Sequence, residues 1–138
     1  MANYYESART NYFLVKDIDA FKEDLEMITS STSLEIYIKH KDLKDYVCLL
    51  GSEQNGFPFD YYDNLVEDYL GIDWGSIFAK HLKDDSVAII IGSGAEKLRY
   101  VTGYAYAFNN KGETKSIDLV KIYELAESLG SDVQRAEY

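Results

Sequence analysis

Nucleophilic catalysis in this chain would depend on Cys48, its only cysteine. With a carboxylate and either of the two histidines, His40 or His81, this cysteine would form the one nucleophile–base set available. A catalytic cysteine needs a low pKa and a partly exposed position, typically at a helix N-terminus or beside a base. Cys48 lies instead within the apolar run 46–50, which is typical of a buried strand. We therefore interpret it as a small core residue.

The segment 92–97 (Gly-Ser-Gly-Ala-Glu-Lys) follows an apolar run, as a phosphate-binding loop does. It lacks the full spacing of both the P-loop and the dinucleotide-binding motif, so a turn between two strands is the favoured interpretation. The sequence has no Cys/His spacing typical of a zinc site and no calcium-loop motif. These observations predict a protein that is not an enzyme and that uses no cofactor or metal.

The distribution of charge carries the strongest functional signal. The formal net charge is −10, from 24 acidic and 14 basic residues. The interval between Lys44 and Lys80 has no basic residue and holds seven acidic ones: Asp45, Glu53, Asp60, Asp63, Glu67, Asp68 and Asp73. Aromatic residues, which often anchor interfaces, lie among them: Phe57, Phe59, Tyr61, Tyr62, Tyr69 and Trp74. Such self-repulsion typically serves solubility or a positively charged partner.

The acidic interval predicts a surface for a basic partner. If residues 60–70 form a helix, Asp60, Asp63 and Glu67 stand at i, i+3 and i+7, with neighbours roughly 5–6 Å apart. That row would coarsely imitate the phosphates of a nucleic acid. A loop is the alternative structure for this segment, and an ordinary solvated acidic face is the alternative function. The predicted partner-binding residues are Asp60, Tyr61, Tyr62, Asp63, Glu67, Asp68, Tyr69 and Asp73.

Length and composition predict a single domain over residues 1–138 with its own core. A lone cysteine cannot form an internal disulfide, so we expect a cytoplasmic protein. Neither a signal peptide nor a membrane-spanning segment is expected. The acidic balance disfavours anionic membranes and direct binding of nucleic acid, because both need patches of Lys and Arg.

The pattern of apolar residues predicts an α+β fold. We expect one largely antiparallel sheet of about five to six strands, with three or four helices packed mainly on one face. Expected strands cover 11–15, 34–38, 46–50, 86–91, 98–108 and 114–117. Asp17 is expected to cap a helix over 18–28, Asp73 a helix bearing Trp74, and Asp118 a last helix. In that last helix the residues expected to face inward are Leu119, Ile122, Tyr123, Ala126 and Leu129.

Two segments of the chain resemble a family of small acidic proteins carried by phages, plasmids and other mobile elements. They are residues 7–13 (Ser-Ala-Arg-Thr-Asn-Tyr-Phe) with Val15-Lys16-Asp17, and residues 94–101 with Gly103-Tyr104-Ala105. Mobile-element proteins of this size and charge resemble anti-defence inhibitors, namely anti-CRISPR proteins and DNA-mimicking anti-restriction proteins. The resemblance therefore implies such a role and supplies no site residues.

Charge and resemblance together predict a non-enzymatic inhibitor in the host cytosol. It would block the basic nucleic-acid-binding surface of a defence nuclease, such as a CRISPR effector, by charge mimicry. The acidic residues would provide charge complementarity, and Tyr61, Tyr62 and Tyr69 would be the packed anchors. One alternative is an immunity protein or antitoxin that binds one cognate basic toxin. A small enzyme built on Cys48 is a third possibility.

Overall fold

The structure is a computed structural model that describes residues 4–52, 56–96 and 100–135. Its elements follow the order β1 (Tyr4–Thr10), α1 (Ile18–Asp24), α2 (Glu26–Ser31), β2 (Glu35–Lys41), β3 (Lys44–Leu50), β4 (Asp60–Asp63), β5 (Asp68–Gly71), α3 (Trp74–His81), β6 (Ala88–Glu96), β7 (Tyr100–Phe108), β8 (Thr114–Asp118) and α4 (Lys121–Ala126).

Six strands form one antiparallel sheet in the order β2-β3-β1-β6-β7-β8. The strands β4 and β5 form a separate two-stranded sheet. With four helices in one domain, this architecture confirms the predicted α+β class and the predicted size and direction of the main sheet. The N-terminal strand β1 lies near the centre of the sheet, where it joins the β2–β3 hairpin to the consecutive strands β6, β7 and β8.

The core lies on one face of the six-stranded sheet. Along β6 the side chains of Ala88 and Ile90 are buried, whereas Ile91 is exposed, so the strand alternates with period two. Helices α1, α2 and α3 add the buried apolar residues Phe21, Ile28, Trp74 and Phe78 to the same core. The opposite face of the sheet has no comparable cover among the described residues.

Phe78 is the centre of an aromatic cluster within this core. Its ring meets the edge of Phe13 at a centroid distance of 5.4 Å, stacks on Trp74 at 5.6 Å and packs against Phe108 at 5.1 Å. The indole N–H of Trp74 donates a hydrogen bond to the carbonyl oxygen of Pro58 at 2.9 Å. These contacts join the N-terminal segment, α3 and β7 through one buried ring.

Two predicted elements near the N-terminus are wrong in position or length. The first strand covers Tyr4–Thr10, and residues 11–15 form only isolated bridges, Phe13 to Val47 and Val15 to Leu82. The predicted helix over 18–28 is broken at Leu25, whose buried side chain anchors the junction between α1 and α2. The predicted cap is confirmed, because the carboxylate of Asp17 accepts the N–H groups of Asp19 and Ala20.

The predicted turn at Gly92-Ser93-Gly94 is wrong, since β6 runs without interruption through Glu96. Gly92 is needed for close packing instead. A Cβ atom at this position would lie 2.5 Å from Cζ of Tyr104, its partner on β7. Lys97, which the sequence placed in the same turn, lies outside the described residues.

The last helix, α4, does not pack as predicted. The carboxylate of Asp118 does accept the N–H of Lys121 at 3.1 Å, which places a turn where a helix cap was expected. However, Leu119, Ile122 and Leu129 are exposed, and α4 contributes no buried residue to the part of the chain that the structure describes. The other two residues of the predicted inward face, Tyr123 and Ala126, are half-buried, and the guanidinium of Arg135 lies over the ring of Tyr123.

Removing the ring of Phe78 should destabilise the fold strongly. We expect Phe78→Ala to lower the free energy of unfolding by about 3–5 kcal/mol, because the variant loses transfer energy and leaves a cavity among three aromatic neighbours. Urea unfolding followed by Trp74 fluorescence measures the change. The control Leu129→Ala should shift the free energy of unfolding by less than about 0.5 kcal/mol, since its side chain is exposed. A loss below about 1 kcal/mol for Phe78→Ala would contradict a central role for this ring.

Candidate functional site

The segment 60–71 is a β-hairpin, so the helix or loop expected for it is wrong. Strands β4 and β5 pair antiparallel, with Tyr62 opposite Tyr69 and Asp63 opposite Asp68. Tyrosine favours strands, which explains why the segment pairs in this way. The turn is made by Asp63, whose carboxylate accepts the N–H of Leu65 at 2.8 Å, and by Glu67 in the left-handed region at φ 52°. We call residues 60–71 the acidic hairpin.

The side chains of the acidic hairpin alternate between its two faces. Asp60 lies on one face with the paired residues Tyr62 and Tyr69, and Asp63 and Asp68 lie on the other. The row Asp60, Asp63 and Glu67 that a helix would have formed therefore does not exist. The predicted single row of carboxylates is wrong in geometry, and the hairpin instead carries negative charge on both of its faces and at its tip.

Two of the predicted partner-binding residues on the hairpin serve the fold. Tyr61 packs against the hydrophobic core. Asp63 is only 9% exposed, and its carboxylate is engaged by the turn. Because Asp63 stands directly opposite the like-charged Asp68, the pair also opposes strand pairing. Neither Tyr61 nor Asp63 offers a partner an accessible side chain comparable to those on the rest of the hairpin.

Asp73 is also a structural residue. It is the N-cap of α3, as the sequence predicted: its carboxylate accepts the N–H of Ser76 at 3.1 Å and the hydroxyl of Ser76 at 2.8 Å. These hydrogen bonds, first from the hydroxyl of Ser76 and then from its N–H, lower the pKa of Asp73 below the ordinary value of an aspartate. Asp73 is thus exposed but already committed to a helix cap.

The remaining acidic residues of the hairpin are accessible. Asp60, Glu67 and Asp68 are all exposed, and none of them forms an ion pair with any residue in the ranges 4–52, 56–96 and 100–135. Elsewhere in the acidic interval Asp45 does have such a partner, the imidazole of His40 at 2.7 Å. The hairpin therefore presents three carboxylates whose charge is not locally neutralised.

The accessible carboxylates surround an apolar and aromatic surface. The rings of Tyr62 and Tyr69 meet edge to face at 5.2 Å, and Tyr69 is 68% exposed. At the tip, Leu65 is 88% exposed and Val66 is exposed beside it. The sequence interpretation missed these two tip residues, because a helix would have placed them in the buried stripe.

Two other aromatic residues of the acidic interval belong to the interior. Phe57 and Trp74 are both buried, with their ring centroids 5.1 Å apart. Phe59 is 43% exposed and contacts the rings of Tyr104 and Tyr106. Phe59, beside Asp60, therefore adds to the accessible aromatic surface of Tyr62 and Tyr69.

The groups considered for nucleophilic catalysis do not converge. Cys48 is buried, and its sulfur contacts the guanidinium of Arg9 at 3.1 Å. His40 pairs with Asp45 and faces the core side of the sheet, because its neighbour two residues earlier, Ile38, pairs with the core residue Val47. Neither histidine has a hydrogen bond to Cys48 within the described part of the chain.

His81 has a structural partner of its own. Its Nε2 atom lies 2.6 Å from Oδ2 of Asp24, which also accepts the ammonium of Lys80 at 2.8 Å. The hydrogen bond from Lys80, and then that from His81, lower the pKa of Asp24 because they stabilise its charged form. This contact ties the end of α1 to the end of α3.

Within the described ranges no group of three or more His, Cys, Asp and Glu side chains could hold a metal ion. Nor is any helix of those ranges long and apolar enough to cross a membrane. No protein-family model matches the chain, and no curated protein or solved structure does so either. The geometry of the surface is therefore the basis for a functional proposal.

The thiol of Cys48 should be inert in the folded protein. We expect no alkylation by iodoacetamide under native conditions over a period in which the urea-unfolded chain reacts completely, because the sulfur is enclosed in β3. Intact-protein mass spectrometry measures the modification. Stoichiometric labelling of the folded protein would revive the enzyme alternative.

Proposed function

We propose that this chain is a non-enzymatic inhibitor from a mobile element that binds the basic nucleic-acid-binding surface of a host defence nuclease, such as a CRISPR effector. The acidic hairpin would be its binding element. One observation carries the proposal: Asp60, Glu67 and Asp68 are exposed without an ion-pair partner in the described ranges, around an exposed apolar tip. The resemblance to mobile-element proteins supports the class of target.

The shape of the hairpin changes how charge mimicry would operate. A flat row of carboxylates would lie along one basic wall. The hairpin is free on one face only, because Tyr61 and Asp63 of the other face lie against the domain. Its accessible parts are the face with Asp60, Tyr62 and Tyr69 and the tip with Glu67 and Asp68. This shape suits insertion of the tip into the mouth of a basic channel, such as a nuclease provides for a nucleic acid strand.

Charge and apolar contact have different roles in this proposal. The carboxylates steer the encounter with a basic partner, so they set the association rate and its dependence on salt. Tyr62, Tyr69, Leu65 and Val66 would be desolvated once the hairpin is inserted. Because well-packed aromatic and aliphatic anchors dominate the lifetime of complexes, these four residues would set the dissociation rate.

An immunity protein or antitoxin is the alternative, since the same hairpin would suit a basic toxin. The two functions differ in their target and not in their surface. A toxin gene beside the gene of this chain, together with tight binding to that toxin, would favour the alternative.

Neutralising the exposed carboxylates should weaken inhibition. We expect the triple variant Asp60→Asn, Glu67→Gln, Asp68→Asn to need about tenfold more protein, or more, for half-inhibition of a susceptible nuclease, because it loses electrostatic steering. Cleavage of a target DNA by purified CRISPR effectors measures inhibition. Raising the salt from about 50 mM to about 200 mM should weaken inhibition by the wild-type protein until it approaches inhibition by the variant, because salt screens the carboxylates.

A matched control separates position from net charge. The triple variant Asp85→Asn, Glu127→Gln, Asp132→Asn removes the same three charges at exposed sites away from the hairpin. It should inhibit within about twofold of the wild-type protein, as surface changes away from an interface do. Equal inhibition by the hairpin variant and this control would exclude the acidic hairpin as the charged binding element.

Truncating the exposed tyrosine of the hairpin should shorten the life of the complex. We expect Tyr69→Ala to raise the dissociation rate from the nuclease about tenfold or more with little change in the association rate, since aromatic hot spots act on dissociation. Surface plasmon resonance on the immobilised nuclease separates the two rates. A change confined to the association rate would contradict an anchoring role for this ring.

A further inference from the structure

The face of the main sheet opposite the core carries charge of the other sign. Ile36 and Ile38 pair with the core residues Leu49 and Val47, so the odd-numbered residues of β2 and the even-numbered residues of β3 point away from the core. The same alternation applies to β1 and β8. The charged strand residues on this outer face are Arg9, Lys39, Lys41, Lys44, Lys115 and a single acidic residue, Glu35. We call the part formed by β1, β2 and β3 the basic sheet face.

Two of these cations converge on one aromatic ring. The guanidinium carbon of Arg9 lies 5.5 Å from the ring centroid of Tyr12, and the ammonium of Lys39 lies 4.8 Å from it. Arg9 is held further by hydrogen bonds from Nε to the carbonyl oxygen of Thr10 and from Nη2 to the sulfur of Cys48. Both cations thus lie against the same ring although they come from distant parts of the sequence.

Two more cations are forced together at the end of the β2–β3 hairpin. Lys41 and Lys44 form a directly paired position, and like charges placed opposite each other oppose strand pairing. The turn between them uses two non-glycine residues in the left-handed region, Asp42 at φ 53° and Leu43 at φ 61°. An anion bound between the two lysines would relieve their repulsion.

Apolar surface lies beside this row of cations. Tyr37, on the same face of β2, is 55% exposed. A cavity of about 620 Å³ begins at Arg9 and crosses the outer face of the sheet. Its lining includes Ile91, Ala105 and Ile117, together with Leu119 and the acidic residue Asp118. A ligand that fits this face must therefore carry anionic groups on one side and flat apolar groups on the other.

We propose that the basic sheet face binds single-stranded nucleic acid. The phosphates would lie on Arg9, Lys39, Lys41 and Lys44, and the bases would lie on Tyr37 and in the apolar cavity. Lys39 and Lys41 advance about 6.6–6.8 Å along the strand, so successive cations follow an extended backbone. A single strand exposes its base faces for stacking, whereas a duplex keeps them paired inside. The inference is independent of the acidic hairpin.

The net charge of −10 does not exclude such a ligand. Charges on the surface are screened beyond about 8 Å at physiological ionic strength, and packed layers are separated by about 10 Å. The acidic residues of α1 and α2 belong to helices that pack on the core face of the sheet, opposite the basic sheet face. A bound phosphate therefore interacts mainly with the cations beside it.

Fluorescence anisotropy with a labelled oligo-uridylate of about 12 nucleotides tests the proposal on the full chain. With four phosphate contacts the logarithm of the affinity should fall with the logarithm of salt at a slope of about −2.8, since each contact contributes about −0.7 for single strands. A duplex of the same length should bind about fivefold more weakly or worse.

Variants locate the binding. Lys39→Gln with Lys41→Gln should bring the slope to about −1.4. The control variant Lys16→Gln with Lys22→Gln should leave the slope unchanged. These two exposed cations lie just before α1 and within it. Tyr37→Ser should weaken binding of the oligonucleotide about fivefold or more and leave binding of heparin, which has no bases, unchanged. Hairpin variants should bind the oligonucleotide as the wild-type protein does, so failure of the proposed function would not affect this result.

The proposal would be overturned if the protein did not bind the oligonucleotide at about 50 mM salt, or if the Lys39/Lys41 variant bound it as tightly as the wild-type protein. It would also be overturned if heparin and the oligonucleotide bound equally well and Tyr37→Ser changed neither affinity. A preference for an acidic peptide such as polyglutamate over the oligonucleotide would overturn it as well, in favour of a protein partner. Tryptophan fluorescence from Trp74 confirms that each variant is folded.

Discussion

The constraint on which the molecule depends is that, in the described part of the chain, the helices that bury apolar residues all pack on one face of its six-stranded sheet. Period-two alternation sends Ala88 and Ile90 into an aromatic core centred on Phe78, and it sends the residues between them outward. The helices α1, α2 and α3 cover the first face. The last helix, which the sequence would have used to extend the core, leaves its apolar side chains exposed. The period-two alternation of side chains along the strands thus determines both which residues form the stabilising core and which face of the sheet is accessible to a ligand.

Acidic residues in this chain have two distinct uses, and composition alone cannot separate them. Asp63 makes a turn and Asp73 caps a helix, so their charges are already satisfied by N–H and O–H groups. Asp60, Glu67 and Asp68 face solvent and form no ion pair within the described ranges, although the carboxylate of Asp68 accepts the N–H of Tyr69 at 2.7 Å. The acidic residues that remain available to a partner are therefore fewer than the full acidic interval contains. They lie together around the exposed tip of a hairpin.

Local signals in the sequence were sufficient for the fold class and for two of the three predicted helix caps, since Asp17 and Asp73 act on N–H groups only two or three residues away. The third cap is wrong, because α4 begins after Val120 and not after Asp118. Local signals were also insufficient for the hairpin at 60–71. The apolar and aromatic residues of this segment fit a helical period and a strand period equally. The pairing of β4 with β5 decides for strands. The basic sheet face was harder to predict. Arg9 and Lys39 meet the same ring of Tyr12 because β1 lies beside β3 in the sheet, and that position depends on contacts far apart in the chain.

The two proposed surfaces carry opposite charge on different parts of one small domain. Net charge describes neither, because screening makes each surface act over a short range. A basic channel is complementary to the acidic hairpin, and a single strand of nucleic acid is complementary to the basic sheet face. A nuclease that already holds its guide or substrate strand presents both of these at once. For such a target the two surfaces would reinforce each other, since the second contact forms at the high effective concentration that the first provides. The separation of charge therefore restricts the class of target more than the excess of acidic residues does.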